Sequence, residues 1–286
     1  MVQVFVDGLG AGSAFALVAI ALVVVWRSSG MLNFAQAEQG LFGTFVVWWL
    51  VADAHVMYYV AVLIGAVVVV AMALAIERLM VRPLGHDAHI ALLIVAIALY
   101  EGLNGLSSRI WGANPRSIAT PFPGTVRVGG LALSVNALLA IGVGLFVTVL
   151  LVFFFRSRIG IQLRAVAENR SVAQLLGVRS GRIVMIGWAI GAVVALLALL
   201  LQTQQQVLDT TAGVQLIVEA TVAATLGGFS SVTGAFLGGL GLGVAQAFYG
   251  RYVSGGTSIV VAFLVVVVVL MFRREGLFSG ASLREA

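Results

Sequence analysis

The sequence predicts an all-α polytopic membrane protein, with about eight or nine transmembrane helices in a single domain over residues 1–286. Two of its spans are interrupted, and a basic cytoplasmic loop joins two others. Three observations predict this class. Hydrophobic residues make up 61% of the 286 positions and charged residues 9%, whereas a soluble domain is about one quarter charged. The mean hydropathy is +1.12. The apolar residues suffice for eight or nine spans of about 20 residues each. A cytosolic globular enzyme is excluded on composition.

Two absences narrow the function further. There is no cysteine, so disulfides, thiolate nucleophiles and cysteine metal sites are excluded. All sixteen basic residues are arginine. Without lysine, neither a standard phosphate-binding P-loop nor a Schiff-base site can be built. The isoelectric point near 10.4 does not indicate nucleic acid, because the arginines punctuate apolar stretches as they do in membrane proteins.

The apolar stretches run over 5–26, 31–52, 57–76, 88–106, 132–155, 183–201, 212–229, 232–249 and 258–272. The first carries Asp7 and lacks a basic leader and a small-residue cleavage site, so it reads as a retained span. The second opens with polar residues, and its clean apolar run, Leu41 to Ala52, is too short to cross alone. The fourth has Glu101 and Asn104 near its outer end, where they read as interfacial. The eighth holds Gly234, Gly238, Gly239, Gly241 and Gly243. With Gly8, Gly10 and Gly12 of the first span, these read as surfaces for close helix approach. A dinucleotide fingerprint would need a βαβ unit around the glycines, and none is present.

Arginine placement orients the chain. Nine crossings with the N-terminus outside put Arg27, Arg78, Arg82, Arg156, Arg158, Arg164, Arg170, Arg179, Arg182, Arg273, Arg274 and Arg284 on one side. Arg109, Arg116, Arg127 and Arg251 fall on the other. The positive-inside rule makes the first side cytoplasmic, with the C-terminus there too. Trp48, Trp49, Tyr58, Tyr59, Trp111, Tyr249 and Tyr252 fall at outer boundaries, with Trp26 and Trp188 at inner ones. A re-entrant second span would move only Arg27 and give eight crossings; the Trp48–Trp49 pair favours a full crossing.

Ionisable groups inside spans are costly and mark cavities or partner helices. Asn33, Gln36, Glu38 and Gln39 open the second span. Glu219 precedes Thr225, Ser230, Ser231 and Thr233 around the Gly-rich break in the seventh. Short or Gly-interrupted spans line transport paths in many transporters. The structural alternative makes Asn33 a solvated N-cap, with Gln36 completing a capping-box-like pair, and makes Glu219 a carboxyl paired with a neighbouring helix. His86 and His89 have metal-ligand spacing, but no third ligand lies close in sequence, and no metal is expected. No Ser/His/Asp set presents itself.

The longest inner segment, 156–182, carries six arginines. It reads as two short helices. Gly160 to Glu168 forms the first, with Ile159, Leu163 and Val166 on one face. Ser171 to Gln174 fits a capping box that opens the second, and Gly177 closes it. Such helices fit either a docked partner or anionic headgroups.

Three stretches resemble one family. Asp7 to Leu17 followed by Asn33-Phe34-Ala35-Gln36 is similar to the N-terminal signature of branched-chain amino acid ABC importer permeases, the shorter of the two permease types. Gly160 to Gly177, with Arg164-Ala165 and Leu176-Gly177-Val178, resembles the coupling-loop motif. Ala223 to Ser231, continuing through Gly234 to Gly239, resembles the late Gly-rich motif. The chain departs from the family at Gln36-Ala37, where His-Gly is common, and at Glu219-Ala220-Thr221, where a Lys-Ala-Phe-like step is common.

The resemblance implies a permease in a prokaryotic inner membrane, without its own ATPase site or cofactor. It implies a second permease, two ATPase subunits and an extracytoplasmic binding protein as partners, with a small amino acid as substrate. Asn33, Gln36, Glu38, Glu219, Thr225, Ser230 and Ser231 would line the path. Arg164, Ala165, Glu168, Ser171, Leu176 and Gly177 would couple to the ATPase. Urea or a short amide is the alternative substrate within the family. Outside it stands an ATP-independent channel or secondary transporter, with Glu38 and Glu219 carrying protons.

Overall fold

The computed structural model describes residues 1–84, 88–118, 122, 124–128, 131–204, 206–253 and 258–272. The histidine pair's turn at 85–87 and the terminal arginines beyond 272 lie outside the described residues. In chain order the helices are α1 (Val2–Ser29), α2 (Gln36–Ala52), α3 (Tyr58–Ile76) and the short α4 (Arg82–Leu84). They continue as α5 (His89–Trp111), α6 (Val135–Arg156), α7 (Arg158–Glu168), α8 (Arg170–Leu175), α9 (Ser180–Thr203), α10 (Ala212–Gly227), α11 (Val232–Tyr252) and α12 (Ser258–Phe272).

Among the described residues six helical stretches are long and apolar enough to span a bilayer: 2–29, 58–84, 90–111, 135–156, 180–203 and 232–252. The stretches α2 and α10 have 17 and 16 residues, and the described part of α12, which ends on both sides at positions outside the described residues, has 15. At 1.5 Å per residue the longer of the first two reaches about 26 Å, short of the roughly 30 Å hydrocarbon core. Two of the three are the spans whose polar interruptions are visible in the sequence.

The core forms around α1. A helix apolar on every side has to be enclosed on every side, and each residue from Ala14 to Val25 is buried. In its most apolar window 89% of residues are buried by the chain itself, against 22% for 90–111. The outer helices α3, α5, α6 and α12 leave Leu63, Val67, Ile94, Phe146, Phe153 and Phe263 exposed. That is the pattern of surfaces that meet lipid or another apolar partner.

Glycine sets the α1–α11 crossing. A Cβ on Gly12 would stand 2.7 Å from the Gly239 carbonyl oxygen and 2.9 Å from Leu240 Cα; one on Gly8 would stand 2.7 Å from Val244 Cα. Only hydrogens fit there, so the close-approach reading of these glycines holds.

The end of α3 winds into a π-helical turn, Glu77–Val81, which leads into α4. Its i→i+5 bonding brings Glu77 and Arg82 onto one face. There the guanidinium donates to both carboxylate oxygens at 3.1 and 2.9 Å.

Several expectations change. The fifth span starts at Val135 rather than 132, because Leu131–Ser134 pairs antiparallel with Thr125–Val128 as a β-hairpin (β2 and β1). Ile159 is exposed, and the buried face of α7 is Gly160, Leu163 and Val166. Gly160 sits against the Phe154–Phe155 backbone, where a side chain has no room. Ser171 does not cap α8. Asn169 does, its Oδ1 accepting from Val172 N at 3.0 Å. Gly177 follows the helix at φ +81°, the left-handed turn that glycine takes without strain. Trp188 is not an interfacial anchor; it is buried inside the bundle.

Candidate functional site

The polar opening of the second span is not solvated. The side chains of Asn33, Gln36, Glu38 and Gln39 are all buried, Glu38 with 1% of its surface exposed. Asn33 does not act as the N-cap, a position held by Ala35. Its Oδ1 accepts from Ala35 N at 3.2 Å and its Nδ2 donates to Gln36 Oε1 at 2.9 Å. That local ring holds the chain in a turn just before α2.

Beyond the ring, polarity is left over. Gln36 Nε2, both oxygens of Glu38 and both amide atoms of Gln39 are buried with no hydrogen-bond partner among the described residues. Native interiors pair such groups, and each exception needs a reason. Five of them fall within four consecutive residues. Glu38 packs against Gly213 in the first turn of α10, where a Cβ would collide with its carboxylate. It faces Asn104 and Glu101 of α5. Asn104 donates to Thr210 O at 2.6 Å, which ties α5 to the loop before α10. Ser107, one turn further along α5, is another buried hydroxyl without a partner.

Glu219 lies two turns further along α10, also buried. Gln246 of α11 donates to its Oε1 at 3.4 Å, so this carboxyl has a partner on a neighbouring helix while its Oε2 has none. The Gly-rich break performs structural tasks. Thr225 returns its hydroxyl to Thr221 O at 2.7 Å. Ser231 caps α11 by accepting from Gly234 N at 2.9 Å. Ser230 is exposed. Thr225 is twelve residues from Gly213, about 18 Å along a helix. The structure therefore sets Glu38 against the start of α10 rather than beside Thr225 to Thr233.

At the end of the bundle that carries α7 and α8, Arg164 donates to Phe155 O at 3.2 Å. Arg27 lies 4.6 Å from the Phe155 ring centroid. Arg164 thus fastens α7 to the end of α6. Ala165 is half-buried, Glu168 and Ser171 are exposed, and the apolar Leu175 and Leu176 are 87% and 78% exposed. Asn104, which reads as interfacial in the sequence, instead donates its amide to Thr210 O. Sequence reasoning passed over Leu175 and Ser107. An apolar pair, Leu175-Leu176, on a basic loop carries a signal for the first of these alone.

The bundle is built around an enclosed helix, with buried unpaired polar groups between helices and lipid-type apolar outer faces. That is the architecture of a polytopic membrane protein with a polar interior, as a permease has. Residues 4–272 match the family of the branched-chain amino acid transport system permease component, and the chain belongs to that family. It is 32% identical to the high-affinity branched-chain amino acid transport system permease protein BraD of Pseudomonas aeruginosa, over 97% of this chain and 95% of that one. With LivH of Escherichia coli K12, a permease protein of the same description, identity is 31% over the same shares. With the probable branched-chain amino acid transport permease protein LivH of Methanocaldococcus jannaschii it is 23%, over 89% and 84%. Among solved structures, the fold is like that of PsaBC from Streptococcus pneumoniae in complex with Fab. The TM-score is 0.50 at 15% identity, covering 92% of this chain and 90% of that one.

Proposed function

We propose that the chain is the membrane-spanning permease subunit of an ATP-driven importer for branched-chain amino acids, working beside a second permease. Two ATPase subunits supply the energy, and an extracytoplasmic binding protein delivers the substrate. The observation that carries this reading is the run of partnerless buried polar atoms on Gln36, Glu38 and Gln39. A zwitterion crossing a bilayer needs groups that replace its water, and a path has to hold such groups unpaired when it is empty. Asn33 holds the turn in shape, and Glu38 with Asn104 offers polar partners between α2, α5 and α10.

In this reading the end bearing α7 and α8 is cytoplasmic, and the chain's C-terminus lies there as well. ATPase closure pushes on Leu175, Leu176 and Gly177, and Arg164 passes the displacement to α6. Ala165, Glu168 and Ser171 complete the docking elements. Family membership and the 31–32% identical relatives support the substrate class.

Uptake of labelled leucine by the reconstituted complex tests it. ATP-dependent uptake that Asn33→Leu with Glu38→Leu abolishes is the expected result. Uptake unchanged by that pair overturns the path. Uptake of urea or a short amide in place of leucine overturns the substrate, and transport without any ATPase overturns the importer reading.

A further inference from the structure

A second polar feature lies away from the path, at the end of the bundle that carries α7 and α8. A cavity of about 540 Å³ opens there between α4, α8 and the start of α9, with Arg78, Arg82, Gln174, Arg179, Ser180 and Arg182 in its wall. Four arginines line this one concavity, and like charges gathered in that way favour an anion among them. Glu77 is the one carboxylate that forms an ion pair with any of them among the described residues, and it is committed to Arg82.

The floor of the cavity is preorganised. Arg82 is held by both oxygens of Glu77 and donates to Gly181 O at 3.2 Å. Glycine at 181 lets that guanidinium lie flat, since a Cβ would stand 3.3 Å from Nη2. On the far wall Ser180 Oγ accepts from Arg170 Nε at 3.1 Å and from Gln174 Nε2 at 2.7 Å. The Arg170 guanidinium is pushed below its ordinary value by burial and by the charge of Arg82. Arg78, Arg179 and Arg182, which also line the cavity, are exposed. Leu79, 71% exposed, and Met80 adjoin it as an apolar surface.

We propose that this cavity is a binding site for a phosphate group, presented by an anionic lipid headgroup or as soluble phosphate. Planar guanidinium forks suit the tetrahedral oxyanion, which accepts paired N–H bonds from several directions. The apolar Leu79–Met80 surface beside the rim favours the lipid, whose acyl chains would lie along α3. The site sits apart from the Glu38 cluster and does not depend on the identity of the transported substrate.

Thermal unfolding of the purified full chain in neutral detergent tests it. Phosphatidylglycerol, phosphatidylcholine and inorganic phosphate are titrated separately, against wild type, Arg78→Gln with Arg179→Gln, and the opposite-end control Arg251→Gln. Phosphatidylglycerol should raise the midpoint of wild type and of the control, with an apparent affinity roughly tenfold or more weaker in the double variant. Phosphatidylcholine should not. Inorganic phosphate producing the same contrast among variants also upholds the site and assigns the soluble source. No response of wild type to either phosphate source overturns the proposal. So does a response equal in the double variant and the control, and an acidic protein segment as true occupant would produce the first of these outcomes.

Discussion

The carboxylate of Glu38 rests on the backbone of Gly213, so the first turns of α2 and α10 meet side chain to main chain. Both residues are enclosed, and the contact depends on position 213 having no side chain. That joint locks the polar turn of the second span to a helix 175 positions away.

Gly213→Ala should therefore destabilise the protein by about 1–3 kcal/mol, the usual cost of overpacking. Glu38→Ala alone removes the carboxylate and relieves its desolvation. Combined with Gly213→Ala, it should recover stability relative to Gly213→Ala alone. Unfolding midpoints of the four proteins measure the coupling, and strict additivity would disprove the contact.

The α1–α11 crossing separates two kinds of glycine. A Cβ at Gly243 would meet the backbone of Gly8 and Gly12, while at Gly241 nothing lies within 4 Å. Gly243→Ala should cost at least about 2 kcal/mol, because backbone cannot move aside as a side chain can. Gly241→Ala should be neutral, or gain up to about 1 kcal/mol from helix propensity. Denaturation of the two variants in detergent reads the difference directly.

Exposed leucines on a short loop helix touch nothing that would stabilise the fold. Leu175→Glu with Leu176→Glu should leave the unfolding midpoint within about 0.5 kcal/mol of wild type. The same pair should abolish co-purification of the ATPase. Arg164→Ala should behave differently, lowering stability by about 1 kcal/mol through loss of its bond to Phe155 O.

The Glu77–Arg82 pair is asymmetric. Glu77 is 1% exposed, while the Arg82 side chain is one third open to solvent. Arg82→Ala strands a buried carboxylate, at a cost of about 1–3 kcal/mol. Glu77→Ala leaves a guanidinium that water can reach and should cost less. Urea unfolding of both variants reads the order, and equal losses would disprove the asymmetry.

Much of the helix order was legible from composition and periodicity, because long apolar runs have few alternatives in a bilayer. The hairpin at 125–134 was not: its strands are four residues each and adjoin an apolar run, so they merge with the span that follows. The polar cluster on Asn33, Gln36 and Glu38 stood out as polarity inside an otherwise apolar span. Its partners did not, because Asn104 and Gly213 lie 71 and 180 positions beyond Asn33, and no local pattern encodes a pairing across helices. Ile159 and Ser171 misled for a related reason. An amphipathic face and a capping motif each admit a neighbouring register, and Gly160 and Asn169 won on space and on hydrogen bonding.

The enclosure of α1 has a consequence for motion. A helix that touches only its own chain from Ala14 to Val25 has no surface on which a bilayer or a partner subunit can pull. Under the proposed coupling, a stroke at the loop would reach α1 at its Arg27 end, where α7 packs against it, and through the surrounding helices, with the enclosed stretch as the axle about which they pivot. Its residues would then be shaped by the need to turn without slack, and scarcely at all by what is being carried.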